Sequence, residues 1–419
     1  MGINWYYMGA MVLGSEGFGS LIKGGSASAG GATSSPIFTV LWGAIYAISF
    51  YRVIQRRREA LKLLRANKAL VFMVGLICAS FFWSIERSIT LHGAATLVFT
   101  TFFAIDFSLR FSIKRQLELA AKAMAFLLIA SVIAEVVFPG VVPVEASESA
   151  TAWHGVFEFK NNFGRMICLG TVALLASSRK STLLRVFIFL CGLGLAILSK
   201  AVSFAGYTVL LCAVLAGWSI LKWRPKPRLV GILAIAIAGG LSIGYISANI
   251  VKVTAMLDKD PHMTGRVDLW EWSYVYIQKK PMLGYGAGAF WGPDSQPARR
   301  IREAVKWDEA PHAHDAYIDT ALSLGWVGLA AYFLLYGVVF RRAYRYFMAG
   351  PEDYRRWPLT YLVFVLIYQF TESGILGGGS ILWMLFAGMT FSLTYEEQAS
   401  KAHLPEHVQV APAREAAYI

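Results

Sequence analysis

Apolar residues fall along the chain in blocks of roughly 14–27, about the length that crosses a bilayer as a helix. The blocks lie at 5–21, 36–54, 69–83, 93–111, 120–138, 164–178, 186–199, 203–222, 229–249, 314–340, 358–376 and 378–394. This pattern predicts an all-α integral membrane protein of about twelve transmembrane helices with a large, partly helical outer loop. Glu16 and several glycines interrupt the first block, so about eleven or twelve spans fit, with twelve preferred. Basic residues crowd every second connection: Arg52, Arg56, Arg57, Arg58, Lys62, Arg65 and Lys68; Lys114 and Arg115; Arg179, Lys180 and Arg185; Lys222, Arg224, Lys226 and Arg228; Arg341, Arg342, Arg345, Arg355 and Arg356. By the positive-inside rule these connections are cytoplasmic, and with twelve spans so are both termini.

Two outward segments exceed simple turns. Residues 139–163 begin acidic, with Glu145 and Glu148, and turn basic at Lys160. Residues 250–313 hold nine Lys or Arg, many aromatics and an expected helix over Thr264–Lys279, with Arg266, Trp270, Ser273, Tyr274 and Ile277 on one face. Such an amphipathic helix sits at the membrane surface, and long ordered loops are usually functional. The expected organisation is 1–249, about nine transmembrane helices; 250–313, an outer lid loop carrying the amphipathic helix; 314–395, about three more helices; and 396–419, a disordered cytoplasmic tail.

Composition reinforces the pattern. Apolar residues make up 56% of 419, charged residues only 16%, and mean hydropathy is +0.52, which excludes both a soluble globule and a disordered chain. The net charge of +13 lies in short loops between apolar blocks rather than in a basic stripe, so no nucleic-acid partner is expected. Cys78, Cys168, Cys191 and Cys212 lie in apolar blocks without CxxC spacing and read as packing residues. No cleavable signal is expected, because the first block lacks a basic start.

The strongest local chemistry is Pro311-His312-Ala313-His314-Asp315, followed by Gly325-Trp326-Val327-Gly328. His314, Ile318, Ala321, Gly325 and Gly328 share a face of one helix, placing the histidine at its outer mouth. A polar cap on a packed helix explains this pattern; so does a general base, because imidazole titrates near neutral pH and can take a proton from a hydroxyl. Asp315 or Asp319 is then its orienting carboxylate. A metal site is disfavoured, since His312 and His314 are two apart with no third ligand at a motif-like spacing. Asp106, Glu135, Asp319 and Glu372 fall inside apolar blocks, where ionisable groups are costly and usually functional, so a transporter with an ion path is the competing class. No inverted repeat supports it. Gly284-Tyr285-Gly286-Ala287-Gly288 lacks the context of a nucleotide loop and reads as a flexible bend under the lid.

His-Asp, nine residues and then Gly-x-x-Gly closely resembles the signature of the O-antigen ligase and polymerase superfamily. Trp83-Ser84 with Thr90-Leu91 is similar to its WS…SL element. Gly155-Val156-Phe157 with Lys160-Asn161 is similar to G-x-F-x-x-K-N. Gly265-Arg266, Trp270, Pro281 and Gly284-Tyr285-Gly286 resemble its GR…W…P…GYG run. The likeness covers about residues 70–390, in order, and is greatest to the exopolysaccharide (succinoglycan-type) polymerase branch. One element departs: in Leu198-Ser199-Lys200-Ala201-Val202-Ser203 a valine stands where the family has a basic residue, and Lys200 is the candidate replacement.

The resemblance implies metal-independent, cofactor-free, inverting transfer of glycan from an undecaprenyl-pyrophosphate carrier at the periplasmic face of a bacterial inner membrane. The acceptor is another carrier-linked repeat unit in a polymerase and lipid A core in a ligase. A lipid-linked-glycan flippase is the alternative of another class. Expected partners are the lipid-linked oligosaccharide, membrane lipid, a chain-length regulator and export proteins. His314 and Asp315 are the expected catalytic pair. Arg266, Lys200, Lys160 and Arg165 are the expected pyrophosphate-binding cations, since fixed positive charge stabilises a departing pyrophosphate best where water is scarce. The alternative for each cation is a snorkelling or headgroup contact.

Overall fold

The computed structural model describes residues 2–19, 36–140, 152–177, 181–229, 231, 266–307 and 310–401, and every regular element among them is a helix. They are α1 (Gly2–Gly14), α2 (Pro36–Gln55), α3 (Arg57–Ala66), α4 (Lys68–Ala79), α5 (Arg87–Arg110), α6 (Ile113–Val137), α7 (Lys160–Ser177), α8 (Thr182–Leu198), α9 (Val202–Gly217), α10 (Arg266–Lys279), α11 (Gln296–Val305), α12 (Ala316–Met348), α13 (Trp357–Tyr368) and α14 (Ile381–Lys401). Among the described residues, five helices are long and apolar enough to cross a membrane, or six if Arg57–Ala66 and Lys68–Phe82, bent by 93°, form one span. The protein is a multi-pass helical membrane protein. The apolar block at 229–249, apart from Leu229 and Gly231, the acidic pair Glu145 and Glu148, Gly265 and the tail from 402 lie outside the described residues.

The first apolar block yields only the 13-residue α1. Beyond it Glu16 and Phe18 adopt φ of 68° and 63°, which ends the helix before the charge. At the centre lies α14, whose Trp383, Met384, Phe386 and Ala387 are buried; a helix apolar on all sides is one enclosed by protein. It packs on α5, α12, α3, α1 and α6. Asp106, deep in α5, is neutralised where it sits. Arg110 Nε lies 2.9 Å from its carboxylate and Arg52 Nη1 3.6 Å, and the Tyr7 hydroxyl donates to it at 2.5 Å.

Gly325 interrupts α12 with φ 65° and ψ −164°. The expected continuous face from His314 to Gly328 is therefore broken there. The freed backbone groups are not left bare, which would be costly in an apolar setting. Tyr285 N–H and Gly286 N–H donate to the carbonyls of Leu322 (2.8 Å) and Ser323 (2.9 Å), while Trp326 N–H donates to Pro281 O at 2.7 Å. The glycine-rich run expected to be a flexible bend is thus a docked strap. Its outer side is held by the WS…TL element: Trp83 Nε1 donates to Leu283 O (2.8 Å), Ile85 N–H to Tyr285 O (3.0 Å) and Thr90 Oγ1 to Ala287 O (2.9 Å).

Residues 266–307 have their own small core with the start of α12. Leu269, Tyr276 and Ile277 of α10 join Tyr285, Phe290, Ile301 and the first turns of α12. Ser273 and Ile277 face inward as expected, whereas Tyr274 is 57% exposed beside Trp272 and Val275. The inward stripe starts at Leu269, so it is rotated from the expected face.

Candidate active site

The histidine loop, residues 310–315, is tied down from three sides. Asp319, one turn into α12, accepts from Ala313 N–H (3.1 Å), from Trp291 Nε1 of the outer segment (2.7 Å) and from the Ser373 hydroxyl after α13. Asp315 caps α12, its Oδ1 accepting from the N–H groups of Tyr317 (2.9 Å) and Ile318 (3.0 Å). This N-cap role turns its carboxylate into the helix rather than toward the imidazole. His314 has a left-handed φ of 52°, which costs energy outside glycine. Its own N–H donates to His312 Nδ1 at 3.0 Å.

So placed, the His314 ring stacks on Trp307, with centroids 5.3 Å apart and planes 11° from parallel, and stands 4.2 Å from the His312 ring. Its Nδ1 is 3.8 Å from Glu372 Oε2, outside hydrogen-bond range but within strong electrostatic reach. Glu372 Oε1 accepts from Asn161 Nδ2 at 2.7 Å. Arg266 donates to Thr371 O at 3.2 Å, beside that carboxylate. Both ring nitrogens of His314 are buried with no hydrogen-bond partner.

The electrostatics follow from this crowding. Burial, aided by His314 and Arg266, pushes His312 down to about 4, with Glu372 pulling the other way. Burial raises Glu372, but His314, His312 and Arg266 outweigh it and hold the carboxyl below its ordinary value. Burial raises Asp315 against the two backbone N–H groups it accepts from.

Of the expected site residues, His314 and Arg266 come together. Lys160 opens α7 next to Asn161. Arg165, further along α7, is buried and engaged with Tyr368 OH (3.2 Å), Ser15 O (3.3 Å) and Glu16 (3.4 Å). Lys200, exposed at the α8–α9 junction, has φ 52°. Glu135, half-buried, also has structural partners: its Oε1 accepts from the N–H groups of His154 and Gly155, each at 2.8 Å. The partnership of Glu372 with His314, its support by Asn161 and the Trp307 stack were not legible. Asn161 and Glu372 are 211 residues apart, and no periodicity links them.

The ligating atoms of His312, His314 and Glu372 lie within 4.8 Å of one another, so the residues could hold a cation. Two features oppose this. His312 Nδ1 already accepts the His314 N–H, which leaves its other nitrogen protonated in the neutral ring, and the Arg266 guanidinium acts on the same carboxylate. The arrangement suits moving a proton better. Behind Asp319 and Ser373 opens a cavity of about 650 Å³, reaching Ser88, His92, Thr320 and Gln369.

These features define a class: a multi-pass helical membrane protein in which a histidine, a glutamate and an arginine meet beside a small helical subdomain. Residues 186–333 match the protein-family model described as O-Antigen ligase, and the motif resemblance stands on that match. It takes in Lys200, Arg266, His314 and Asp315, and leaves Lys160, Arg165 and Glu372 outside. The chain is also similar to the exopolysaccharide production protein ExoQ of Rhizobium meliloti (strain 1021), 27% identical over 115 residues, 26% of each protein. It thus spans about a quarter of that curated relative's length. A chain of the solved structure described as "Structural coordination of polymerization and crosslinking by a peptidoglycan synthase complex" aligns at 17% identity and TM-score 0.43, over 78% of this chain and 97% of that one. That likeness carries no argument.

Proposed function

We propose that the protein is a polysaccharide polymerase. It transfers glycan from an undecaprenyl-pyrophosphate donor to a sugar hydroxyl of another carrier-linked repeat unit. The observation that carries this reading is the His314 imidazole, buried against Trp307 with both nitrogens unpartnered. A buried polar group without a partner costs about 1–3 kcal/mol, a cost that substrate binding would relieve.

In the proposed step His314 takes the acceptor hydroxyl proton as that oxygen attacks the anomeric carbon. The bond from that carbon to the pyrophosphate breaks, and configuration inverts. Glu372, oriented by Asn161, stabilises the imidazolium that forms. Arg266 stabilises the departing charge through a two-pronged fork. Lys160 and Lys200 assist as point charges, and Arg165 serves from below as a structural clamp. Glu372 takes the role first expected of Asp315, whose carboxylate caps α12. The site faces the periplasm of an inner membrane crossed about twelve times. Residues 1–249 and 314–395 form the membrane part, 250–313 the lid and 396–419 the cytoplasmic tail. Support comes from the basic loops at the opposite end of the helices and from the family match.

Purified protein given carrier-linked repeat units should make polymer, and His314→Ala should lose about 10²–10⁴-fold in rate while still folding. Near-normal turnover by His314→Ala sinks the assignment. In a deletion strain, carrier-linked single repeats should accumulate; long chains that form but never reach lipid A would make the protein a ligase. A flippase would instead leave unpolymerised donor on the cytoplasmic side.

A further inference from the structure

At the end of the bundle away from His314, α3 and the segment led by α4 meet at 93°. α4 runs from Lys68 toward the Trp83 element under the strap, and α12 runs from the histidine loop down to Met348, so Lys68 and Arg342 share this far end. With α4 crossing the membrane, α3 lies along its surface. Its Ala60 and Leu63 are buried while Arg57, Arg58, Lys62 and Arg65 are exposed, the division expected of an interfacial helix.

The inside of this elbow forms a groove of about 420 Å³ against α12. Arg65 and Lys68 stand at its mouth, and Phe72, Leu334 and Val338 line it further in. Phe72 lies one turn deeper than Lys68, and Val338 and Leu334 one and two turns deeper than Arg342. Arg342 is already engaged: Nη1 donates to Asn67 Oδ1 (2.5 Å) and Thr394 Oγ1 (2.7 Å), Nη2 donates to Ala66 O (2.9 Å), and Nε stands 3.3 Å from Glu397 Oε2 as an ion pair. Arg65 and Lys68 are exposed and make no ion pair among the described residues. Phe72 and Leu334 are 53% and 60% exposed.

We propose that this groove seats one anionic phospholipid. Its phosphate lies between Arg65 and Lys68, and one acyl chain runs inward along Phe72, Val338 and Leu334. The charge at the mouth and the apolar floor beneath it match the two ends of such a molecule. A basic residue near an anionic headgroup favours binding by several-fold, and the chain adds burial of apolar surface. The bound lipid would brace the α3–α4 elbow against α12.

The test uses delipidated full-length protein in detergent, read by native mass spectrometry and thermal unfolding. Phosphatidylglycerol should be retained as one adduct and should raise Tm. The exposed double variant Arg65→Gln/Lys68→Gln, with the lipid-free Tm of the wild type, should lose roughly tenfold or more of that retention. Leu334→Trp, which fills the chain path, should weaken it as well. Equal retention of phosphatidylcholine, equal protection by inorganic phosphate alone, or undiminished phosphatidylglycerol binding by the double variant would each overturn the proposal.

Discussion

His312 is the residue whose protonation the fold most opposes. Its pKa falls to about 4 in the folded protein because burial disfavours the cation, against about 6.5 in an unfolded chain. Between those values the unfolded state binds more protons, so stability must fall as pH drops through the window, by up to roughly 3 kcal/mol. Glu372 is shifted in the same direction, its carboxyl held below the ordinary value, so its contribution too is lost as pH falls, but only from the ordinary carboxylate range downward, at the acid end of that window. Thermal unfolding of wild type and His312→Gln from pH 8 to 4.5 should therefore show curves that converge as acid is added. Parallel curves would mean that His312 is not held neutral. Asp319 acts through others. Asp319→Ala strands Ala313 N–H, Trp291 Nε1 and the Ser373 hydroxyl, and kcat should fall on the order of 10–100-fold through a misplaced His314. Asp319→Asn keeps an acceptor oxygen and should recover most of the loss. If asparagine is as damaging as alanine, the negative charge itself matters.

At the scale of elements, the helix signature and the lid signature are two halves of one joint. The kink at Gly325 exposes carbonyls and N–H groups, and the Pro281–Gly286 strap satisfies them. Gly284 and Gly286 permit the approach. Their φ values are 61° and 100°, and a Cβ on either would strike the α12 backbone or Ser84. Gly284→Ala and Gly286→Ala should each lower Tm and make the outer segment sensitive to limited proteolysis, whereas Gly206→Ala, with open space around it, should do neither. Unchanged proteolysis in both strap variants would show that the strap does not hold the lid.

The whole molecule separates two kinds of charge along its helices, the His312–His314–Glu372 cluster at one end and the basic connections around Arg65 and Arg342 at the other. Tyr274, exposed on α10, provides a handle on orientation. Tyr274→Cys, in a chain whose four cysteines are replaced by alanine, should react with an impermeant maleimide from the periplasmic side of intact cells. Reaction only after lysis would reverse the topology and with it the proposed function. Turnover should survive EDTA, because Arg266 supplies the positive charge that a cation would otherwise bring. Activity lost in EDTA and restored by a divalent ion would turn His312, His314 and Glu372 into ligands.

Hydropathy and spacing by themselves determined where the helices run. The expected block at 36–54 became α2 almost residue for residue, while those at 93–111, 120–138 and 314–340 became α5, α6 and α12 with one end of each extended by about six to eight residues, because the cost of placing backbone and charge in lipid falls segment by segment. His314 and Arg266 were legible as candidates for the same local reason, since each stands in a short motif. What each carboxylate does was decided only by tertiary structure. Asp315, adjacent in sequence, is spent on capping α12, while Glu372, carried in after α13 and steadied by Asn161 of α7, meets the imidazole. The kink at Gly325 and the strap that fills it are likewise joint properties of two distant segments. A hydrogen bond depends on which groups meet in space, and local periodicity carries no information about partners that packing alone brings together.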